Sequence, residues 1–220
     1  MTADRGRREG VRPPRWHGVC GRVLDVVGAL VLLLLLAAPS LLIALWVRLD
    51  TPGPVLFRQE RVGLHRRPFT LYKFRTMRVG VGDEALRRLI EAELCGEDTC
   101  CDGSTKLGDD PRVTRAGRFL RRTSLDELPQ LLNVVRGEMS LVGPRPCLPW
   151  EAELFPPQFA DRFSVRPGIT GLWQVTGRST VGTLDMLRMD LAYVRDRCLR
   201  LDLWILLVTI PSLLRGGGAR

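Results

Sequence analysis

The sequence predicts a helix-rich α+β fold (α/β class), carried on a membrane by an N-terminal re-entrant helix. Three observations predict it. With 220 residues, 45% hydrophobic and 26% charged, the chain has material for one ordinary core plus appendages. Val26–Val47 is a run of 22 residues without a charge, with Ser40 as its only clearly polar side chain, a composition that belongs in a bilayer. From Asp50 onward, short apolar bursts punctuated by proline and glycine alternate with segments of helical period.

Residues 1–18 read as a basic disordered tail and residues 19–49 as the membrane helix, broken at Pro39. Proline removes a backbone hydrogen bond and crowds the preceding turn, so the helix bends there. Both flanks are basic: Arg5, Arg7, Arg8, Arg12, Arg15 and Arg22 precede the run, and Arg48, Arg58, Arg61, Arg66 and Arg67 follow it. Cytoplasmic flanks collect arginine and lysine, so the two ends read as lying on the same side and the helix as one that enters and returns; at 22 residues the run is also long enough to span, which is the alternative.

Residues 50–215 form the cytoplasmic domain. Thr51–Pro54 is a turn, Val55–Gln59 and Phe69–Phe74 are short strands, and residues 83–94 have helical spacing with acids at the start. Cys95–Asp110 loses the pattern and reads as a mobile loop. Ser124–Val135 reads as a helix opened by S-x-x-E, a capping box in which Ser124 and Glu127 satisfy each other's backbone donors. Pro167–Gly171 is a glycine-rich turn and Thr183–Asp196 a helix. Leu203–Leu214 is too short to span and is either an interfacial helix or a C-terminal core helix; residues 216–220 are a flexible tail.

Lysine and arginine total 33 against 24 acids, and all but Lys73 and Lys106 are arginine, which points to anionic partners. The charge is uneven, because residues 83–110 hold nine acids against Arg87, Arg88 and Lys106. That asymmetry and the long apolar run exclude a nucleic-acid-coating protein. Cys20, Cys95, Cys100, Cys101, Cys147 and Cys198 fit neither a zinc template nor a compact disulfide framework, and read as reduced thiols.

The chemistry concentrates between Asp110 and Pro146. Adjacent carboxylates, Asp126 and Glu127, follow Arg118, Arg121 and Arg122, and a helix start with guanidinium groups favours ionised carboxylates and bound phosphate alike. Arg145 stands between Pro144 and Pro146, a stiff mount for one guanidinium. If Lys73 and Arg75 lie on a strand they share a face and grip two oxygens of one phosphate. Read alone, the same residues also suit a helix cap, a rigid turn and a solvated basic face.

Five stretches together resemble the bacterial sugar transferases, the small monotopic phosphoglycosyl transferases: GRVLD at 21–25, PVLFRQERVGLHRRPFTLYKFRTM at 54–77, the block from Asp110 to Pro146, RPGITGLWQVTGR at 166–178 and DLAYV at 190–194. The resemblance implies transfer of a sugar phosphate from a UDP-sugar to undecaprenyl (polyprenyl) phosphate, with release of UMP. That reaction is the first membrane step of exopolysaccharide, capsule or glycoconjugate synthesis, on the cytoplasmic face of the bacterial inner membrane. It implies Asp126 as the nucleophile that carries a covalent sugar phosphate and Glu127 as a ligand of Mg²⁺. Arg121, Pro144, Arg145 and Pro146 would contact phosphate or nucleotide, and Lys73, Arg75 and Asp190 would line the pocket.

The match covers nearly all of residues 19–212, with Val79–Lys106 and the tail before Cys20 outside it. Larger relatives carry extra membrane spans, so this chain reads as the short form. The competing expectation is a non-enzymatic membrane adaptor whose arginines hold anionic lipid or polymer.

Overall fold

The apolar run folds as two helices, α1 (Arg15–Leu35) and α2 (Ala37–Asp50), separated at Leu36 in the computed structural model, which describes residues 15–78, 84–95, 112–177 and 181–214. The break expected at Pro39 falls three residues earlier. Proline has no N–H to offer the carbonyl of Leu35 and its ring crowds that turn, so the strain is taken up at Leu36. The N–H of Ser40 still donates to Leu36 at 2.9 Å. Helix α1 begins at Arg15, so residues 15–18 are helical where a tail is expected; the rest of that expected tail, residues 1–14, lies outside the described residues. By length and composition α1 could cross a membrane.

Most of the apolar surface of these helices is exposed, including Leu34, Leu35, Leu41, Leu42 and Leu49. A few positions bind the polar domain instead. On α1, the Arg22 guanidinium donates to the carbonyls of Val134 and Val135 at 2.7 and 3.1 Å. Asp25 accepts the Ser140 hydroxyl at 2.7 Å and the Leu141 N–H at 2.8 Å. At the far end of α2, Ile43 and Val47 pack with Phe74, Ala116 and Leu120, and Asp50 accepts the Ala116 N–H at 3.1 Å. Both ends of the apolar run are thereby fastened to the same domain.

That domain holds two small sheets. Strands β1 (Leu56–Val62) and β2 (Pro68–Phe74) form an antiparallel hairpin with Leu56 opposite Phe74 and Val62 opposite Pro68. Both strands run longer than the sequence predicts, because backbone pairing continues through polar residues that periodicity discounts. After α3 (Glu84–Leu94) and α4 (Arg115–Thr123), helix α5 (Gln130–Arg136) packs on β2 and α1 through Leu131, Val134, Phe69, Leu71 and Ala29. Asn133, fully buried on α5, donates to the carbonyl of Thr70 at 2.7 Å and accepts the Tyr72 N–H at 3.2 Å, stitching helix to strand.

Strand β3 (Ser140–Val142) then pairs in parallel with β4 (Gly168–Thr170). The glycine-rich turn expected at Pro167–Gly171 is therefore a strand. Glycine serves there because the Gly168 backbone passes against that of Gly143 too closely for a side chain. Helix α6 (Pro149–Leu154), α7 (Leu172–Thr176) and α8 (Thr183–Asp196) follow; α8 has the bounds read from its period, and its Leu187 closes a second core with Val62, Phe155, Phe159 and Phe163. In α9 (Leu199–Leu214), Ile205 is buried with Val142 and Tyr193 while Leu203, Trp204, Leu207 and Ile210 are exposed, so it carries both a core face and an apolar outer face.

The helix expected over Ser124–Val135 is divided. Ser124 ends α4 in the left-handed conformation (φ 56°), Leu125–Glu127 form one 3-10 turn, and α5 starts only at Gln130. The capping box is absent: Ser124 makes no side-chain cap and Glu127 turns to Lys73. The N-terminus of α4 is instead capped by Thr114, which accepts the Gly117 N–H at 2.9 Å. Among the described residues Cys20, Cys95, Cys147 and Cys198 are free thiols. Cys100, Cys101 and the loop expected after Cys95 lie outside the described residues.

Gly117 sets how closely α4 approaches the chain that follows β2. A Cβ there would fall inside van der Waals contact of the Thr76 carbonyl, which is backbone and cannot swing aside. Gly117→Ala is expected to lower stability by about 1–3 kcal/mol, read as a drop of several degrees in the thermal midpoint of detergent-solubilised protein. An unchanged midpoint would show that this contact yields freely.

Candidate active site

The hairpin and the turn after α4 bring one ammonium to two carboxylates. Lys73, near the end of β2, places Nζ 2.7 Å from Glu127 Oε1 and 3.9 Å from Asp126 Oδ2. The left-handed Ser124 makes this possible, since a continuous helix would carry residues 126 and 127 away from the strand. Arg145 approaches from the loop after β3, with Nη1 3.7 Å from Glu127 Oε1. A cleft is lined by Lys73, Glu127, Gln130, Arg61, Arg145 and Pro146, together with Leu71, Gly168 and Ile169. Pro144 lies in the adjoining hollow with Arg145 and Arg162.

The two carboxyls are unequal. Burial raises the pKa of Asp126 above the ordinary aspartate value and repulsion from Glu127 adds to it, with Lys73, Arg121 and Arg145 opposing. At Glu127 burial also works against ionisation, but Lys73, Arg145 and hydrogen bonds from Lys73 and Gln130 outweigh it and hold the group below its usual value. Glu127 is thus the resident anion. Asp126 is a buried neighbour whose ionised form gains from any further positive charge.

Arg121, one α4 turn before the dyad, donates through Nε to the Thr76 hydroxyl at 3.1 Å and lies close enough to act on Asp126. Asp190 and Arg75 stand elsewhere. Asp190 is 1% exposed and receives Nε and Nη2 of Arg162 at 3.1 and 2.7 Å, behind the cleft rather than on its wall. Arg75 does not join Lys73 at the dyad: one residue beyond β2, its N–H still donates to the Val55 carbonyl at 2.9 Å, but its side chain is drawn to the end of α2. It is buried and donates to the carbonyls of Val47, Thr51 and Pro52 at 3.2, 2.6 and 2.9 Å, closing the C-terminal end of α2.

Sequence reasoning missed Arg61, Gln130 and Arg162 near this site. Gln130 looks like an interior helix residue, and the two arginines carry no local signal that separates them from solvated ones.

The donor set also tests a metal. Among the described residues no three His, Cys, Asp or Glu side chains gather at one point. Asp126 and Glu127 could supply one or two carboxylates, with phosphate oxygens and water filling the remainder, which is how Mg²⁺ is commonly held. The residues fit that ion.

Comparison with known proteins gives this arrangement a family. The chain is 46% identical over 201 residues to the UDP-glucose:undecaprenyl-phosphate glucose-1-phosphate transferase of Caulobacter vibrioides, covering 88% of this chain and 69% of that one. It is 41% identical over 202 residues to the exopolysaccharide production protein ExoY of Rhizobium meliloti, covering 92% and 88%. With the galactosyl transferase CpsE of Streptococcus agalactiae it shares 39% identity over 205 residues, 93% of this chain but 44% of the relative, so it spans under half of that longer protein. Residues 16–216 match the family model for bacterial sugar transferases, and the chain belongs to that family.

Proposed function

We propose that this chain moves a sugar phosphate from a UDP-sugar to undecaprenyl phosphate and releases UMP. The observation that carries the reading is the pairing of a buried Asp126 with an ionised Glu127 beneath Lys73, Arg121 and Arg145. The names of the relatives from Caulobacter vibrioides and of the galactose phosphotransferase from Salmonella typhimurium support the substrate classes.

In the first step a carboxylate oxygen of Asp126 attacks the sugar-bearing phosphorus, the bond to the oxygen bridging to UMP breaks, and UMP leaves with the electron pair. In the second, an oxygen of undecaprenyl phosphate attacks the same phosphorus and Asp126 departs as a carboxylate, leaving the sugar on a lipid diphosphate. A carboxylate nucleophile divides one hard displacement into two. Lys73, Arg121 and Arg145 orient the phosphates and offset their charge where the reacting centre lies. Mg²⁺ held by Glu127 beside Asp126 would neutralise phosphate charge and favour the ionised nucleophile.

The membrane half of the reading is a re-entrant α1–α2 with the domain on the cytoplasmic face. Its support is that Arg22 and Asp25 before the run and Asp50 after it bind one domain, and that both flanks are basic. The exposed apolar faces of α1, α2 and α9 would then bring a lipid phosphate and a soluble nucleotide to one cleft.

Two experiments test these points. Purified protein with UDP-glucose or UDP-galactose, undecaprenyl phosphate and Mg²⁺ is expected to release UMP, and Asp126→Asn to lower that rate at least about a thousandfold. A wild-type chain that binds vesicles but releases no UMP from any UDP-sugar would instead support the adaptor. For topology, Cys20 and Leu49→Cys, each as the sole cysteine in the chain, are expected to react with an impermeant maleimide from the same side of sealed vesicles. Labelling from opposite sides would refute re-entry.

A further inference from the structure

Three consecutive carbonyls in the Pro144–Arg145–Pro146 segment are each held by a different element. The Gly168 N–H of β4 donates to Pro144 at 2.9 Å, Arg61 Nη1 of β1 to Pro146 at 3.3 Å, and Arg162 Nη2 to Arg145 at 3.0 Å. The segment's two prolines have no N–H with which to hold themselves, so outside donors must fix the loop.

The middle contact is unlike the other two, because its donor is half of a buried ion pair. Arg162 is 3% exposed, and its guanidinium carbon lies 5.0 and 5.3 Å from the ring centroids of Phe155 and Phe163. Its charge is met by Asp190 of α8. Cys147 faces the same guanidinium, and burial pushes its thiol up, so it adds no competing anion. A buried pair of this kind is matched or exceeded in stability by well-packed apolar side chains, so stability alone does not call for it. An apolar pair could not donate to the carbonyl of Arg145.

That carbonyl governs where the Arg145 side chain points. The residue before a proline is confined to extended conformations, with rotation about its Cα–C bond held to a narrow range, so once the carbonyl direction is fixed the direction in which its side chain leaves the backbone is fixed with it. With the carbonyl drawn inward to Arg162, the guanidinium of Arg145 is presented outward, 3.7 Å from Glu127. We propose that Arg162, locked by Asp190, is a positioning residue that aims Arg145 at the donor's phosphates without touching substrate. The inference rests on the phosphoglycosyl transfer proposed for the same cleft. It gives Asp190 a place behind the site, where the resemblance had put it on the pocket wall.

The test is a cycle with Arg145. Arg162→Lys keeps a cation opposite Asp190 and surrenders the planar fork that serves two acceptors. Arg162→Met with Asp190→Leu removes the pair and keeps the volume. Each is expected to raise the KM for the UDP-sugar about tenfold, with kcat within about threefold and the thermal midpoint within a few degrees of wild type. In an Arg145→Ala background the same changes are expected to add nothing further to KM.

An unchanged KM, or effects that add to that of Arg145→Ala, would overturn the proposal. So would failure of both variants to fold, which would assign the pair to stability. These results presuppose an active wild type. No UMP release from the wild-type chain would overturn the proposed function, and this inference with it.

Discussion

The site depends on a single ammonium that stands closer to one carboxylate than to its neighbour. Lys73 bonds Glu127 at 2.7 Å and reaches Asp126 only at 3.9 Å, in surroundings from which water is largely withdrawn. Their environments part them: Lys73 and Arg145 hold the pKa of Glu127 below its usual value, while burial and the neighbouring Glu127 raise that of Asp126. Much of the surrounding structure keeps that difference. Asn133 locks α5 to β2, the left-handed Ser124 folds the dyad back toward the strand, and the close passage of Gly117 over Thr76 sets α4 and hence Arg121.

The same elements tie the site to the apolar helices. Asp25 on α1 holds the start of β3, and β3 runs directly into the loop that bears Arg145. Arg75, one residue beyond β2, closes the end of α2. A displacement of either helix would therefore be felt within a few residues of the cleft, on the Arg145 side through α1 and on the Lys73 side through α2. In the proposed reaction, which joins a lipid phosphate to a soluble nucleotide, such short routes would keep the membrane surface and the reacting groups in register.

Much of this was legible in the sequence, and the failures have physical causes. The apolar run was readable from its unbroken hydrophobicity, the hairpin strands from short apolar bursts beside turn residues, and α8 from its helical period. The family motifs marked Asp126, Glu127, Lys73 and Arg145, which the fold does gather. What could not be read was set by tertiary contact. Ser124 resembles a helix cap, yet it ends one helix in a left-handed turn, and Glu127 prefers a lysine on a distant strand to the backbone. Arg75 shares the pattern of Lys73, but its guanidinium is captured by the carbonyls of Val47, Thr51 and Pro52, a tertiary contact that spacing does not announce. The glycines of the Gly168 strand carry a turn's signature, yet they serve close backbone packing against Gly143. Arg162 is one arginine among many until α8 supplies Asp190.

The claim at the centre of this account is that Asp126 itself becomes bonded to phosphorus. Protein mixed with a UDP-sugar in the absence of lipid acceptor, quenched in acid and digested, can be weighed peptide by peptide. The account predicts a gain equal to one hexose phosphate on the peptide that contains Asp126, lost again when undecaprenyl phosphate is added before the quench. A chain that turns over its substrates with no adduct, or with the added mass on another residue, would contradict it.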